Sequence, residues 1–301
     1  MRRRNFIIFT IFLPFYLYAQ NYTIAFVQDT MANDFRKAQV YQVKKELQKY
    51  KNINFVFSDA LGQTALLIFQ LDKFIDKKVD VIILGTNDGN AVVPSLIKAQ
   101  RAKIPVIILG RGVDTDKYTT FINSDNVKIG QMAGDFISRK LGGKGTIVLF
   151  EGIKTTDIAV DRTKGFEDVV SHRKGIKIIK VTGNYLRRDA IIATEKLIAK
   201  GIKFDAIFSE SDSMLSGARL AMIKHGIDPK NIISIGCGYI NEAKVAIEDG
   251  LQTGSIKSPH AGQEAAKIAM DIINKKNVKK HILMPITLIT KDNVDSIKPI
   301  F

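Results

Sequence analysis

From Tyr22 onward, short continuously apolar runs alternate with longer stretches in which apolar residues recur every three or four positions. The short runs fall at 23–27, 54–57, 79–84, 105–109, 146–150, 177–181, 206–208, 232–235 and 255–257 and are rich in Ile, Val and Phe. Several lack any polar interruption, the pattern of strands buried on both faces. The periodic stretches between them predict helices. Residues 35–50 bring Phe35, Val40, Val43 and Leu47 near one face, and 64–77 do the same with Leu67, Ile68, Leu71 and Ile75. Similar stretches cover 92–101, 129–141, 160–172, 190–200, 214–225, 243–249 and 262–274. Gly201, Gly226 and Gly250 follow three of these directly, where a left-handed residue ends a helix.

A regular β-α-β alternation demands parallel sheets covered by helices. About ten strands in 301 residues exceed one compact sheet, so two α/β domains are expected. No linker rich in Pro, Gly or Ser separates them, so ordinary strand-to-helix connections must form the boundary.

The first residues follow another plan. Met1-Arg2-Arg3-Arg4 is basic, residues 6–18 are apolar, and Ala19 closes the stretch. This order is that of a secretory signal peptide spanning 1–19, with Leu17 larger than the usual small residue at its position; an uncleaved anchor is the alternative. The stretch is shorter than the roughly 20 apolar residues a membrane-spanning helix needs. No Cys lies beside it to carry a lipid anchor.

Composition narrows the function. An apolar fraction of 46% and a charged fraction of 25% describe an ordinary globular chain. The single cysteine, Cys237, sits in an apolar run as a small buried hydrophobe, so no intramolecular disulfide staples the fold. The formal charge of +15 includes the three leader arginines, and the lysines are scattered rather than gathered in a stripe. With an export signal, this argues against a nucleic-acid partner. There is no Gly-x-Ser-x-Gly elbow, Walker loop, His-Glu-x-x-His or Cys-x-x-Cys, so no enzyme activity, metal or cofactor is implied. The histidines, at 172, 225, 260 and 281, fall near helix ends or in a connection, where solvated partners of the helix dipole are expected.

Several segments, taken in order, resemble periplasmic binding proteins of the ribose and galactofuranose type, whose fold is shared with the ligand core of sugar-responsive repressors. Val79-Asp80-Val81-Ile82-Ile83-Leu84 leads to Asn87-Asp88, Pro94 and Ala102-Lys103-Ile104-Pro105-Val106-Ile107. Asn123-Ser124-Asp125-Asn126 precedes Ile129-Gly130 and Ala133-Gly134-Asp135. Asp161-Arg162-Thr163-Lys164-Gly165-Phe166 and Ser211-Asp212-Ser213-Met214 with Gly217-Ala218 complete the set. No helix-turn-helix lies ahead of the first strand, which sets the repressors aside.

The resemblance implies two Rossmann-like lobes with parallel sheets, joined by three crossovers near 124–125, 257–258 and 285–287. The lobes would be 20–124 with 258–286, and 125–257 with 287–301. A ligand would lie in the cleft between them, with closure by hinge motion. The resemblance further implies a monomeric periplasmic protein delivering a small polar ligand to the permease of an ABC importer. The alternative is a subunit that signals to a membrane histidine kinase or chemoreceptor.

Site residues carry over one at a time. Asn33, Phe35 and Arg36 match an aromatic-Arg pair after the first strand, with Phe35 stacking and Arg36 donating; inward packing of Phe35 is the alternative. Gly110-Arg111 stands where the family has Asp-Arg. Arg111 keeps a fork of donors able to grip two ligand oxygens, and a surface salt bridge is the alternative. Tyr185 holds the place of a stacking aromatic. Asp161, Arg162, Ser211 and Asp212 are further candidates, with Glu210 a spare acceptor; Asp212 also suits a helix N-cap. Gly238 again replaces a family carboxylate, and Lys257 stands at the crossover near 257–258. Two lost carboxylates facing Arg36, Arg111 and Lys257 point to a cationic cleft suited to a sugar acid, sugar phosphate or other small anion.

Overall fold

A computed structural model describes residues 21–301; the leader expected at 1–19 lies outside them. The apolar runs become two six-stranded sheets. The first has the order β11 (His281–Met284), β5 (Thr120–Ser124), β4 (Val106–Leu109), β3 (Val81–Gly85), β1 (Tyr22–Gln28), β2 (Ile53–Asp59). The second runs β12 (Thr287–Thr290), β10 (Gly254–Lys257), β9 (Ile233–Gly238), β8 (Ala206–Ser209), β6 (Lys144–Glu151), β7 (Gly175–Thr182).

Side chains alternate across each strand, and both faces are covered. On β1, Ile24 and Phe26 pack with Val40 and Val43 of α1 (Asp34–Leu47) and with Ala265 and Ala269 of α9 (Gly262–Ile273). Ala25 and Val27 pack with Leu67 and Leu71 of α2 (Thr64–Asp76) and with Leu96 of α3 (Val93–Arg101). In the second sheet, Ile147 and Leu149 of β6 meet α4 (Asn126–Lys140) and α5 (Asp157–Val170). Val148 and Phe150 meet α6 (Arg187–Ala199) and α7 (Asp212–Lys224), while α8 (Asn241–Glu248) follows β9. Gly201, Gly226 and Gly250 have φ of +63°, +73° and +74°, as expected of helix-ending glycines.

The apolar pattern missed three strands. β5 alternates buried and half-buried residues, while β11 and β12 are short sheet edges with exposed positions, separated only by Pro285 and Ile286, so none stands out as a run of its own. β12 also departs from the all-parallel expectation, pairing antiparallel with β10. The chain passes between the sheets after β5, after β10 and between β11 and β12.

The α4–α5 contact fixes the geometry of the second sheet's face. A Cβ on Gly130 would lie 2.1 Å from the Arg162 carbonyl oxygen, and one on Gly165 would lie 2.0 Å from that of Val127. Each helix backbone thus rests on bare backbone of the other, which is the physical content of the Ile129-Gly130 and Arg162-to-Phe166 motifs. Gly165→Ala should therefore wedge the helices apart and lower unfolding free energy by about 1–3 kcal/mol, the usual penalty for overpacking. Urea denaturation measures this, and an unchanged midpoint would contradict the close-packing account.

Candidate functional site

Charged groups that cannot sit within doubly covered strands collect where the strands end. The C-terminal ends of both sheets open onto one cavity between them, as expected for open α/β sheets. Of the residues singled out in the sequence, Asn33, Phe35, Arg36, Arg111, Arg162, Tyr185, Ser211, Asp212 and Gly238 line it.

Asp161 and Lys257 are absent from that lining. Successive residues on a helix point about 100° apart, so Asp161 diverges from Arg162 and lies near Asp157 and Asp125 instead. Burial, with those two charges, raises its carboxyl above the usual range. Lys257 ends β10, and its ammonium donates to the Lys298 carbonyl at 2.7 Å, in a separate groove with Tyr50 and Pro299.

Two guanidinium groups converge on the first sheet's side. Arg36 Nη1 donates to Gln39 Oε1 at 3.1 Å and to the Leu109 carbonyl at 3.3 Å. Arg111 Nη1 donates to Asp29 Oδ2 at 3.0 Å, while Arg36 Nε lies 3.7 Å from Asp29 Oδ1. Arg111 is buried rather than forming a surface salt bridge, and its guanidinium sits 5.3 Å from the Tyr185 ring centroid. Burial, reinforced by Arg36, lowers Arg111 to about 10, still charged at neutral pH. Arg36 Nη2 and Arg111 Nε have no protein partner.

On the second sheet's side, Arg162 Nε donates to Asn126 Oδ1 at 3.0 Å and Nη1 to the Glu210 carbonyl at 2.5 Å. The Glu210 carboxylate accepts from Thr163 Oγ1 at 2.9 Å, the Gly152 amide at 2.8 Å and Tyr185 Oη at 3.3 Å. Tyr185 has φ of +60°, after Asn184 at +53°. A Cβ on Gly152 would fall 1.9 Å from Tyr185 Cζ, so the ring lies on bare backbone. Asp212 is not the cap of α7: Ser211 is, accepting from the Met214 amide at 3.2 Å. The Asp212 carboxylate instead accepts from the Tyr239 amide at 2.6 Å, Ser255 Oγ at 2.7 Å and Gln252 Nε2 at 2.8 Å. It braces the turn carrying Gly238, whose φ is +116°.

Sequence reasoning missed Asp29, Gln39 and His260. Asp29 directly follows β1, a strand-end position of the kind that identified Arg111. His260 is 5% exposed, not solvated, and edge-on to the half-buried Phe35 with ring centroids 6.0 Å apart. Its Nε2 donates to the Ile300 carbonyl at 3.2 Å and Nδ1 accepts from the Gly262 amide at 3.4 Å, so the ring is neutral. The cationic cleft expected from Gly110, Gly238 and Lys257 changes in two respects: Lys257 is elsewhere, and Glu210 in the lining and Asp29 just outside it supply carboxylates from other positions.

Contacts also span the gap between the sheets. Asn33 Nδ2 donates to the Tyr185 carbonyl at 2.6 Å, and the Gly112 amide to Asp157 Oδ2 at 2.7 Å. Asp34 Oδ2 accepts from Arg187 Nη2 and Ser213 Oγ, both at 3.2 Å.

The family described as periplasmic binding protein domain matches residues 24–277. The ribose import binding protein of Bacillus subtilis (strain 168) is 26% identical over 274 residues, covering 90% of this chain and 88% of its own. A galactofuranose binding protein structure superposes with a TM-score of 0.86 at 24% identity, over 91% of this chain and 96% of that one. The fructose binding periplasmic domain of a hybrid two component system gives 0.83 at 25% identity, over 92% of both chains.

Two buried groups make stability depend on pH with opposite signs. Burial raises Glu210 from 4.5 to about 7, against the hydrogen bonds from Gly152 and Thr163 and the charge of Arg162. Its contribution is full below pH 4.5 and lost as pH rises to about 7. Burial lowers His260 from 6.5 to about 4, so its contribution is full above pH 6.5 and lost as pH falls to about 4. Relative to wild type, Glu210→Gln should gain on the order of 3 kcal/mol as pH rises through the first window. His260→Asn should gain as pH falls through the second. Urea titrations at stepped pH read both differences, and curves parallel to wild type would contradict the assignments.

Proposed function

The chain belongs to the periplasmic binding protein family, and from that premise we propose that it captures a small neutral sugar and delivers it to an ABC importer. Members of this family bind ligands rather than transform them, so the chain is a binding protein and not an enzyme. One observation carries the sugar reading. The cavity combines the aromatic faces of Phe35 and Tyr185 with buried guanidinium donors that lack protein partners. Ring faces take up the C–H faces of a sugar, and forked donors suit its hydroxyl oxygens. Charges of both signs meet at the cavity, Arg36, Arg111 and Arg162 in its lining with Glu210 and Asp212, and Asp29 against the two arginines from outside the lining. With the carboxyls ionised, the site therefore favours an uncharged ligand over an anion.

In this reading the lobes 20–124 with 258–286, and 125–257 with 287–301, close over the ligand, and the Asp34–Arg187 and Asn33–Tyr185 contacts hold the closed form. Residues 1–19 direct export to the periplasm. The likeness to a fructose binding periplasmic domain of a two component system favours a second reading, in which closure is sensed by a kinase.

Thermal denaturation of the chain from residue 20 onward, against neutral aldoses and sugar acids, tests the binding. A neutral sugar should raise Tm saturably, with a shift set by its concentration relative to Kd. Arg111→Ala should weaken that sugar by about 10- to 100-fold, since hydrogen bonds from a charged group contribute roughly 1.5–3 kcal/mol. No sugar shift, or a shift only with sugar acids, would overturn the neutral-sugar reading. Deleting the gene should abolish uptake of the labelled sugar; intact uptake with a lost transcriptional response would support sensing instead.

A further inference from the structure

We propose that Asp29 sets the charge class of the ligand, offsetting one of the two positive charges of the Arg36–Arg111 pair so that the cavity favours uncharged polyols over anions. The proposal deepens the sugar-binding reading and rests on it for the identity of the neutral ligand.

Asp29 is 3% exposed, and Arg36 and Arg111 are 4% and 6% exposed, so the three charges share one dehydrated pocket. Asp29 is not itself part of the cavity lining, whereas both arginines are. The carboxylate therefore acts on the ligand through the guanidinium groups and is a positioning residue. Among the described residues, the ion pairs of both arginines run to Asp29 alone. The other supports of Arg36, Gln39 Oε1 and the Leu109 carbonyl, are neutral. Glu210 and Asp212 are committed elsewhere, to Thr163, Gly152 and Tyr185, and to Tyr239, Ser255 and Gln252.

Gly110 sharpens the point. A Cβ there would lie 3.4 Å from Arg36 Nη1, so the guanidinium borders the space that a side chain after β4 would enter. No carboxylate faces the ligand from that position; the charge that partly offsets the arginines lies behind them. Arg36 Nη2 and Arg111 Nε remain unpartnered. Removing the Asp29 charge would leave these two positive charges without an ion-pair partner, with Asp157 the remaining carboxylate acting on Arg111. An anion in the cavity would then meet one more net positive charge at this end than in the wild type.

The test compares wild type, Asp29→Asn and the double variant Asp29→Asn/Arg111→Gln at pH 8, where Glu210 is ionised. Thermal shift and calorimetry would be run with inorganic phosphate, D-galacturonate and D-galactose. D29N should bind phosphate or galacturonate saturably, at least tenfold more tightly than wild type, and the double variant should lose most of that gain. Equal anion affinity in D29N and wild type, or an undiminished gain in the double variant, overturns the proposal. If wild type binds no neutral sugar while D29N gains anion binding, the sugar reading falls and the Asp29 assignment stands. A D29N chain that folds only with phosphate present supports the assignment. If both D29N and Asp29→Ser stay unfolded with and without phosphate, the carboxylate serves the fold and the proposal fails.

Discussion

Strands that are covered on both faces can carry charged groups only where they end, and this constraint places the site. Ile24, Phe26, Ala25 and Val27 leave no room for a charge within β1, so the first available position is Asp29, just past the strand. The same holds after β4 for Arg111 and after β8 for Glu210 and Asp212. Because both sheets present their C-terminal ends to one gap, their polar residues meet although they are far apart in sequence. Burial then forces each to find a partner, since an unpaired buried charge is far more costly than a paired one. The Asp29 pairing with both arginines and the Glu210 network follow from that requirement.

The same constraint decides what the sequence could reveal. Central strands such as β3 and β6 read clearly, because burial on both faces writes an uninterrupted apolar run. β11 and β12 did not, because only Pro285 and Ile286 separate them and the stretch from Ile282 to Ile289 shows no boundary between two runs. At the site, Arg111 and Tyr185 were legible through their places in an ordered set of motifs. Asp161 and Lys257 were misplaced for reasons that need coordinates: one is turned away by helical rotation, the other drawn to the Lys298 carbonyl. His260 was misread because its burial depends on Phe35 and Ile300, both remote in sequence.

Motifs that look like binding signatures divide into two physical kinds. Gly130 and Gly165 touch no ligand position; they let α4 and α5 approach closely enough for Arg162 to reach Asn126 and the Glu210 carbonyl. Ser211 and Asp212 likewise organise the start of α7 and the Gly238 turn. The residues left with free hydrogen-bonding capacity, Arg36 and Arg111, are held by supports already in place. The site is thus a rigid scaffold carrying a few unspent donors.

Those donors bear on energetics under the proposed function. A buried N–H group without a partner costs about 1–3 kcal/mol, and Arg36 Nη2 and Arg111 Nε are two such groups in the enclosed form. The contacts across the gap, Asp34 with Arg187 and Asn33 with the Tyr185 carbonyl, favour that form, but Asp34 and Arg187 are partly exposed and contribute little individually. An open arrangement would let water reach the donors, so the enclosed form without ligand carries the larger penalty. A ligand supplying oxygens to both nitrogens removes it, and does so only when the lobes are together. Differential affinity for the two arrangements is what allows a ligand to shift the balance between them. The unpartnered guanidinium nitrogens are therefore the atoms through which ligand binding would drive closure, and Asp29 pairs with both arginines without itself lining the cavity.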